Sequence, residues 1–141
     1  ETPPPPPPPP PVVETPKYLW GSPAEARHSS RVIMDENGLT WEEKKLLCAV
    51  IECESGFRTD LVHKNEGGKS SDWGLVQVND FFWIGEGKKF PSVDYVLKNP
   101  EACVRWMIEC YKRGNLKWWV CFSGKGEDGK FYYEKHLKKF Q

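Results

Sequence analysis

The stretch "TWEEKKLLCAVIECESGF", residues 40–57, decides how the chain is read. Thr40 with Glu43 three residues later is a capping box, which opens a helix, and Gly56 supplies a plausible stop. Between them Leu47, Val50, Ile51 and Glu54 stand at i, i+3, i+4 and i+7, one face of a helix. Glu54 closes that apolar stripe, whereas Glu52 is rotated by roughly 160° and faces away. Burial of a carboxylate raises its pKa and favours the proton-donating form that a general acid needs near neutral pH. The other reading has Glu54 capping the stripe at the surface or pairing with a lysine; periodicity alone leaves both open.

Downstream, Glu66-Gly67-Gly68-Lys69 reads as a turn. "GLVQVN" follows, with Leu75, Gln77 and Asn79 alternating against Val76 and Val78, a period of two that predicts a small antiparallel hairpin. Its polar side would present amides, with Asp72 at its start and Phe81 to Trp83 immediately after. Rings beside amides and carboxylates suit a sugar polymer, whose C–H faces stack while its hydroxyls take hydrogen bonds; aromatic core packing is the other reading. "NPEACVRWMIECYKRGN" is a further helix, with Pro100 at its first position and Cys103, Met107 and Cys110 on one face. "LKWWVCF" reads as a short helix or turn, "SGKGEDGK" as a loop, and "FYYEKHLKKF" has no clear type.

Upstream, the 141 residues leave room for one compact domain beyond a proline tract, with enough chain for a hydrophobic core. "TPPPPPPPPPVVETP" is expected to be an extended polyproline II segment, a spacer or a ligand for a proline-binding domain. Residues 1–29 are therefore read as a proline-rich arm, possible attachment to a larger assembly, and 30–141 as the folded domain, opening with a short helix around 28–36. The start "ETPP" has neither the basic nor the apolar region of a signal peptide, and Glu1 in place of methionine suggests a processed product or a fragment. No apolar run reaches about 18 residues, so membrane insertion is not expected.

Formal net charge is zero, but Lys125, Lys130, Lys135, Lys138 and Lys139 make the C-terminal part basic. That patch reads as a solvated face or as a contact for an anionic polymer; no nucleic-acid partner is expected. The cysteines are Cys48, Cys53, Cys103, Cys110 and Cys121. None forms a C-x-x-C pair, so no metal site is expected. Cys103 and Cys110 lie about 10.5 Å apart along one helix, too far to bond. Long-range pairing is expected, with Cys48 to Cys121 the first choice, against the alternative of five buried thiols.

"AVIECESGF" together with "DWGLVQVN" resembles the lysozyme-like superfamily, both soluble-type lytic transglycosylases and c-type lysozymes. The resemblance covers about residues 30–123. It implies an α+β, mainly helical fold with a small antiparallel β-hairpin flanking an active-site cleft. It also implies cleavage of the β-1,4-glycosidic bond between N-acetylmuramic acid and N-acetylglucosamine in peptidoglycan. Glu54 matches the family's general acid, and Asp72 the second carboxylate, a nucleophile or stabiliser of positive charge. Ser55, Gln77, Asn79 and Trp83 match substrate-binding positions, and Trp118 or Trp119 the tryptophan that packs against the acid. The acid and nucleophile logic is the general one for lysozyme. No cofactor is implied, since side chains supply the acid and base. Glycan strands of peptidoglycan are the implied partner, and an extracellular, periplasmic or phage-virion location follows.

The c-type disulfide framework is not reproduced, because Trp83 is followed by Ile84 where a cysteine is expected. Transglycosylases of the superfamily use a single glutamate, so Glu54 acting alone is the alternative mechanism. A third reading keeps the fold as a glycan- or partner-binding module without catalysis. A cysteine peptidase using His63 or His136 as base has no supporting motif.

Overall fold

The computed structural model describes residues 1–11 and 15–140. Residues 12–14 of the expected polyproline II segment and residue 141 lie outside the described residues. Residues 1–11 are exposed and carry no helix or strand.

Helix α1 spans Pro23–Glu36. It starts five residues before the expected His28, because Ser22 caps it by accepting from the Glu25 N–H and Pro23 opens the first turn. The expected division at residue 29 therefore falls inside a helix. Its inward face carries Ala26, Ser30, Ile33 and Met34, all fully buried. Ahead of it, the Ser29 hydroxyl donates to the Leu19 carbonyl (2.6 Å), which fastens the entering chain to the helix.

Helix α2, Trp41–Ser55, has the expected capping box and ends at Gly56 in the left-handed conformation (φ 63°). Its middle, Leu47 to Ile51, is buried on every side, broader than a single stripe requires. The cause is a second cover: residues 134–140 form a 3-10 helix whose Phe140 packs on Phe57 just past the end of α2. The Arg27 guanidinium lies beside both rings, 5.4 Å and 5.5 Å from the two centroids. Glu52 faces this side, as the helical wheel predicts, and pairs with Arg27 (3.5 Å) and Lys139 (3.1 Å). One lysine of the basic segment is therefore engaged in closing the fold.

The sheet is antiparallel with order β1-β2-β3, formed by Val62–Lys64, Ser71–Trp73 and Val78–Asn79. The expected turn at residues 66–69 joins β1 to β2, with Gly67 and Gly68 at positive φ. "GLVQVN" is corrected. Gly74 and Gln77 both take positive φ (78° and 56°), so residues 74–77 are the tight turn between β2 and β3. Leu75 and Val76 are both buried, a pairing of neighbours that an alternating strand cannot give.

Short helices α3 (Asp80–Trp83) and α4 (Val93–Lys98) lead to α5, Pro100–Lys112, with Pro100 at its start as expected. Cys103, Met107 and Cys110 share its buried face. A 3-10 turn, Leu116–Trp118, and helix α6, Val120–Ser123, follow. The disulfide joins Cys53 to Cys121, not Cys48. Cys48 points into the core, where its thiol meets the Met34 sulfur, and Cys103 and Cys110 are likewise buried thiols. The architecture is α+β and mainly helical, with one small antiparallel sheet, as the sequence predicts. Among the described residues no helix is long and apolar enough to cross a membrane.

Candidate active site

A cleft of about 570 Å³ opens between the sheet and the α5–α6 side, and Glu54 and Asp72 both line it. Glu54 reaches it from the last turn of α2, where the capping box fixes where the helix begins and Gly56 where it ends. Its carboxyl is enclosed. Burial pushes it from the ordinary 4.5 up to about 7, with the Asp72 charge adding to the rise and the Cys121 N–H opposing it. That N–H donates to Glu54 Oε1 at 3.3 Å.

Asp72 is the middle residue of the central strand, opposite His63 on β1 and Asn79 on β3. Asn79 Nδ2 donates to Asp72 Oδ1 (2.9 Å) across the strands. The Asn79 side-chain oxygen meanwhile caps α3, accepting from the Phe81 and Phe82 N–H groups. One amide thus fixes the second carboxylate and the helix that carries Phe82 and Trp83. Asp80 reinforces this corner by accepting from the Ser71 N–H (3.1 Å) and Trp73 Nε1 (3.1 Å).

Gln77, Asn79, Trp83, Trp118 and Trp119 join the two carboxyls in lining the cleft. Gln77 is nearly buried, and its Nε2 donates to the Leu61 and Gly74 carbonyls, so its donors hold the turn. Ser55 is a correction: it does not line the cleft. Its buried hydroxyl donates to the Leu75 carbonyl (2.6 Å), which ties the end of α2 to the turn between β2 and β3. The two adjacent tryptophans, indistinguishable in the sequence, separate in the structure. Trp119 is buried, donates from Nε1 to the Val76 carbonyl (2.7 Å) and packs on Trp106. Trp118 is half exposed and lies against Trp83, with ring centroids 5.1 Å apart and planes inclined by 35°.

Asn65, Trp106 and Val120 also line the cleft and were not expected there, and Phe82 joins them. Phe82 carried a signal, its place beside Trp83 in "FFW". Trp106 carried none: it comes from the middle of α5 and meets the cleft only because the fold stacks it against Trp83, Phe90 and Trp119. Among the described residues no group of three or more His, Cys, Asp or Glu is placed to hold a metal ion.

One proton-bearing carboxyl and one carboxylate on the walls of a cleft rich in aromatic rings can deliver a proton to a leaving oxygen and stabilise positive charge on a neighbouring carbon. Known proteins of this kind match the chain in part. It is similar to lysozyme C-1 of Capra hircus, 42% identical over 41 residues, which is 29% of this chain and 32% of that protein. Lysozyme C of Semnopithecus entellus is 39% identical over 41 residues (29% and 28%), and that of Colobus angolensis 43% over 35 residues (25% and 24%). The matches thus span about a third or less of these relatives, and no protein-family model matches the chain. With its mainly helical α+β architecture and small antiparallel sheet, the chain forms a lysozyme-like domain.

Proposed function

We propose that the domain hydrolyses the β-1,4-glycosidic bond between N-acetylmuramic acid and N-acetylglucosamine in peptidoglycan. The observation that carries this reading is the pairing of an enclosed Glu54, its carboxyl raised to about 7, with Asp72 on the same cleft. At neutral pH a substantial fraction of Glu54 carries its proton, which passes to the glycosidic oxygen as the bond to the anomeric carbon breaks. Asp72, as carboxylate, faces the oxocarbenium-like carbon and acts as nucleophile or electrostatic stabiliser. Its hydrogen bond from Asn79 keeps one oxygen oriented and leaves the other for the reacting centre. Glu54, having lost its proton, then takes one from the attacking water.

Glycan strands run along the exposed aromatic side of the cleft in this reading. Trp118 and Phe82, at 49% and 64% exposure, offer free ring surface for sugar C–H faces, whereas Trp119 supports the floor. The Cys53–Cys121 bridge supports a location outside the reducing cytoplasm. The exposed residues 1–11 act as a spacer from whatever adjoins the domain.

The test is mass spectrometry of soluble fragments released from purified peptidoglycan, with Glu54→Gln as control. Reducing-end sugars from wild type and none from the variant are expected. Anhydromuramyl ends, lower by one water, would instead assign a transglycosylase using Glu54 alone. No release, where an active lysozyme control succeeds, would leave a glycan-binding module.

A further inference from the structure

Cys53 immediately precedes Glu54, and its disulfide partner Cys121 is the residue whose N–H donates to Glu54 Oε1. The covalent link and the hydrogen bond therefore join the same two points, the last turn of α2 and the first turn of α6. The bridge spans 68 positions of sequence with a Cα–Cα distance of 6.0 Å, inside the ordinary range for a disulfide. On its other side, the Cys121 carbonyl accepts from the Tyr133 N–H (2.9 Å), so the peptide groups on both sides of Cys121 are engaged.

We propose that the Cys53–Cys121 disulfide is a positioning device for the acid: it holds the Cys121 N–H in line with the Glu54 carboxyl and so sets where the proton sits and how it points. This rests on reading Glu54 as the general acid. The physical case lies in what else fixes α6. Its helical part, residues 120–123, is a single turn and contributes no buried residue. Trp119 is the anchor on its N-terminal side, with its indole buried and its Nε1–H on the Val76 carbonyl. Immediately after it, Val120 lines the cleft and is 65% exposed. Without the bridge, Trp119 would still line the cleft with the acid, but no cross-link would restrain the N–H that meets it.

The two influences on Glu54 can therefore be separated. Burial, the larger influence, favours the protonated form; the N–H donor favours the carboxylate. Cutting the bridge leaves the burial and loosens the donor, so the carboxyl should titrate higher and its orientation should broaden. Orientation enters the rate of proton transfer but not the stacking of sugars on Trp118 and Phe82, so kcat should fall while KM holds.

The test compares wild type with Cys53→Ala/Cys121→Ala and, as a stability control, Met34→Ala, a buried core position away from the cleft. Glu54 is titrated by its side-chain carboxyl carbon resonance, and kcat, KM and the pH profile on peptidoglycan fragments are measured below the melting range of every variant. The expected result for the bridge variant is an upward displacement of the Glu54 titration by about half a unit. It should come with a roughly tenfold lower kcat at unchanged KM, while Met34→Ala changes neither. An unmoved or lowered titration, or a loss of kcat matched by Met34→Ala, overturns the proposal and leaves the bridge as a staple.

If the alanine variant does not fold, the titration is repeated on wild type reduced by a dithiol. The reagent closes to its own disulfide while Cys53 and Cys121 each gain a hydrogen. Unfolding of that species as well would also overturn the proposal. The titration needs no substrate. Retained activity in Glu54→Gln would sink the acid assignment separately, whatever the bridge does.

Discussion

Replacing Glu54 with glutamine should stabilise the protein at neutral and alkaline pH but not below about pH 4.5. The folded carboxyl titrates at about 7 against an ordinary 4.5, so between these values the native state holds a proton that the unfolded chain releases. The sign follows directly: stability from this group is complete below pH 4.5 and is lost as pH rises through 7. The difference of about 2.5 units is worth about 3 kcal/mol at ~1.36 kcal/mol per unit, an order-of-magnitude figure. The glutamine side chain keeps the shape and can still accept from the Cys121 N–H, but it has no proton to lose. The two proteins should therefore differ in unfolding free energy by about 3 kcal/mol more at pH 8 than at pH 4. With a slope of about 2 kcal/mol/M, urea midpoints should separate by about 1.5 M at pH 8 relative to their separation at pH 4. Every other titrating group is common to both chains, so the change in the gap between them belongs to position 54. A gap that stays constant from pH 4 to pH 8 would refute the claim that burial holds this carboxyl protonated.

Catalysis should follow the same proton: kcat/KM on peptidoglycan should decline with a midpoint near pH 7 on its alkaline side, and a flat profile to pH 9 would exclude Glu54 as the acid. Asn79→Ala should cost about 1 kcal/mol through the lost α3 cap and lower kcat by loosening Asp72. Asn79→Asp, which can still cap, should keep the stability but lose more activity, because it sets a second negative charge against Asp72; thermal melts and fragment kinetics on the two variants tell the effects apart. Trp118→Ala should weaken glycan binding by about 1 kcal/mol, seen as a higher KM with kcat nearly unchanged. In Trp119→Phe the Val76 carbonyl loses its buried donor, at about 1–3 kcal/mol in urea unfolding.

The helices were legible because their signals are local. Thr40, Glu43 and Gly56 bound α2 within the sequence itself, and the i+7 position of Glu54 put it at the end of the apolar stripe, though burial against surface was decided only by the fold around it. Ser22, Pro23 and Glu25 announce α1 just as clearly, yet were obscured by reading the proline tract as continuing past them. The sheet was harder. β1 is exposed at all three positions and so has no alternation to detect, while "GLVQVN" alternates in composition but bends at Gly74 and Gln77. The disulfide depended on which way two cysteines of one helix point. Cys48 follows Leu47 into the core, and Cys53, five residues on, turns towards α6; only the tertiary position of Cys121 decides between them. Of the site, the residues from α2 and the sheet could be named from their motifs. Trp106 could not, since a tryptophan on an amphipathic helix looks like core until the neighbouring rings are in place.

The cover that residues 134–140 lay over α2 has a consequence for the order in which the protein is made. Lys139 and Glu52 are separated by 87 positions, and Phe140 meets Phe57 across a similar span. While the ribosome is still adding the intervening chain, the helix bearing Glu54 is complete in sequence but bare along one flank. That flank stays uncovered until residue 140 has been made, although α1 and α6 pack against the helix elsewhere. That flank is thus among the earlier parts of the domain to be synthesised and among the last to be covered. The cleft around Glu54 draws its lining from residues up to Val120, so the site can assemble before the opposite side of its helix is closed, and the unfinished chain carries an open apolar face for the interval between.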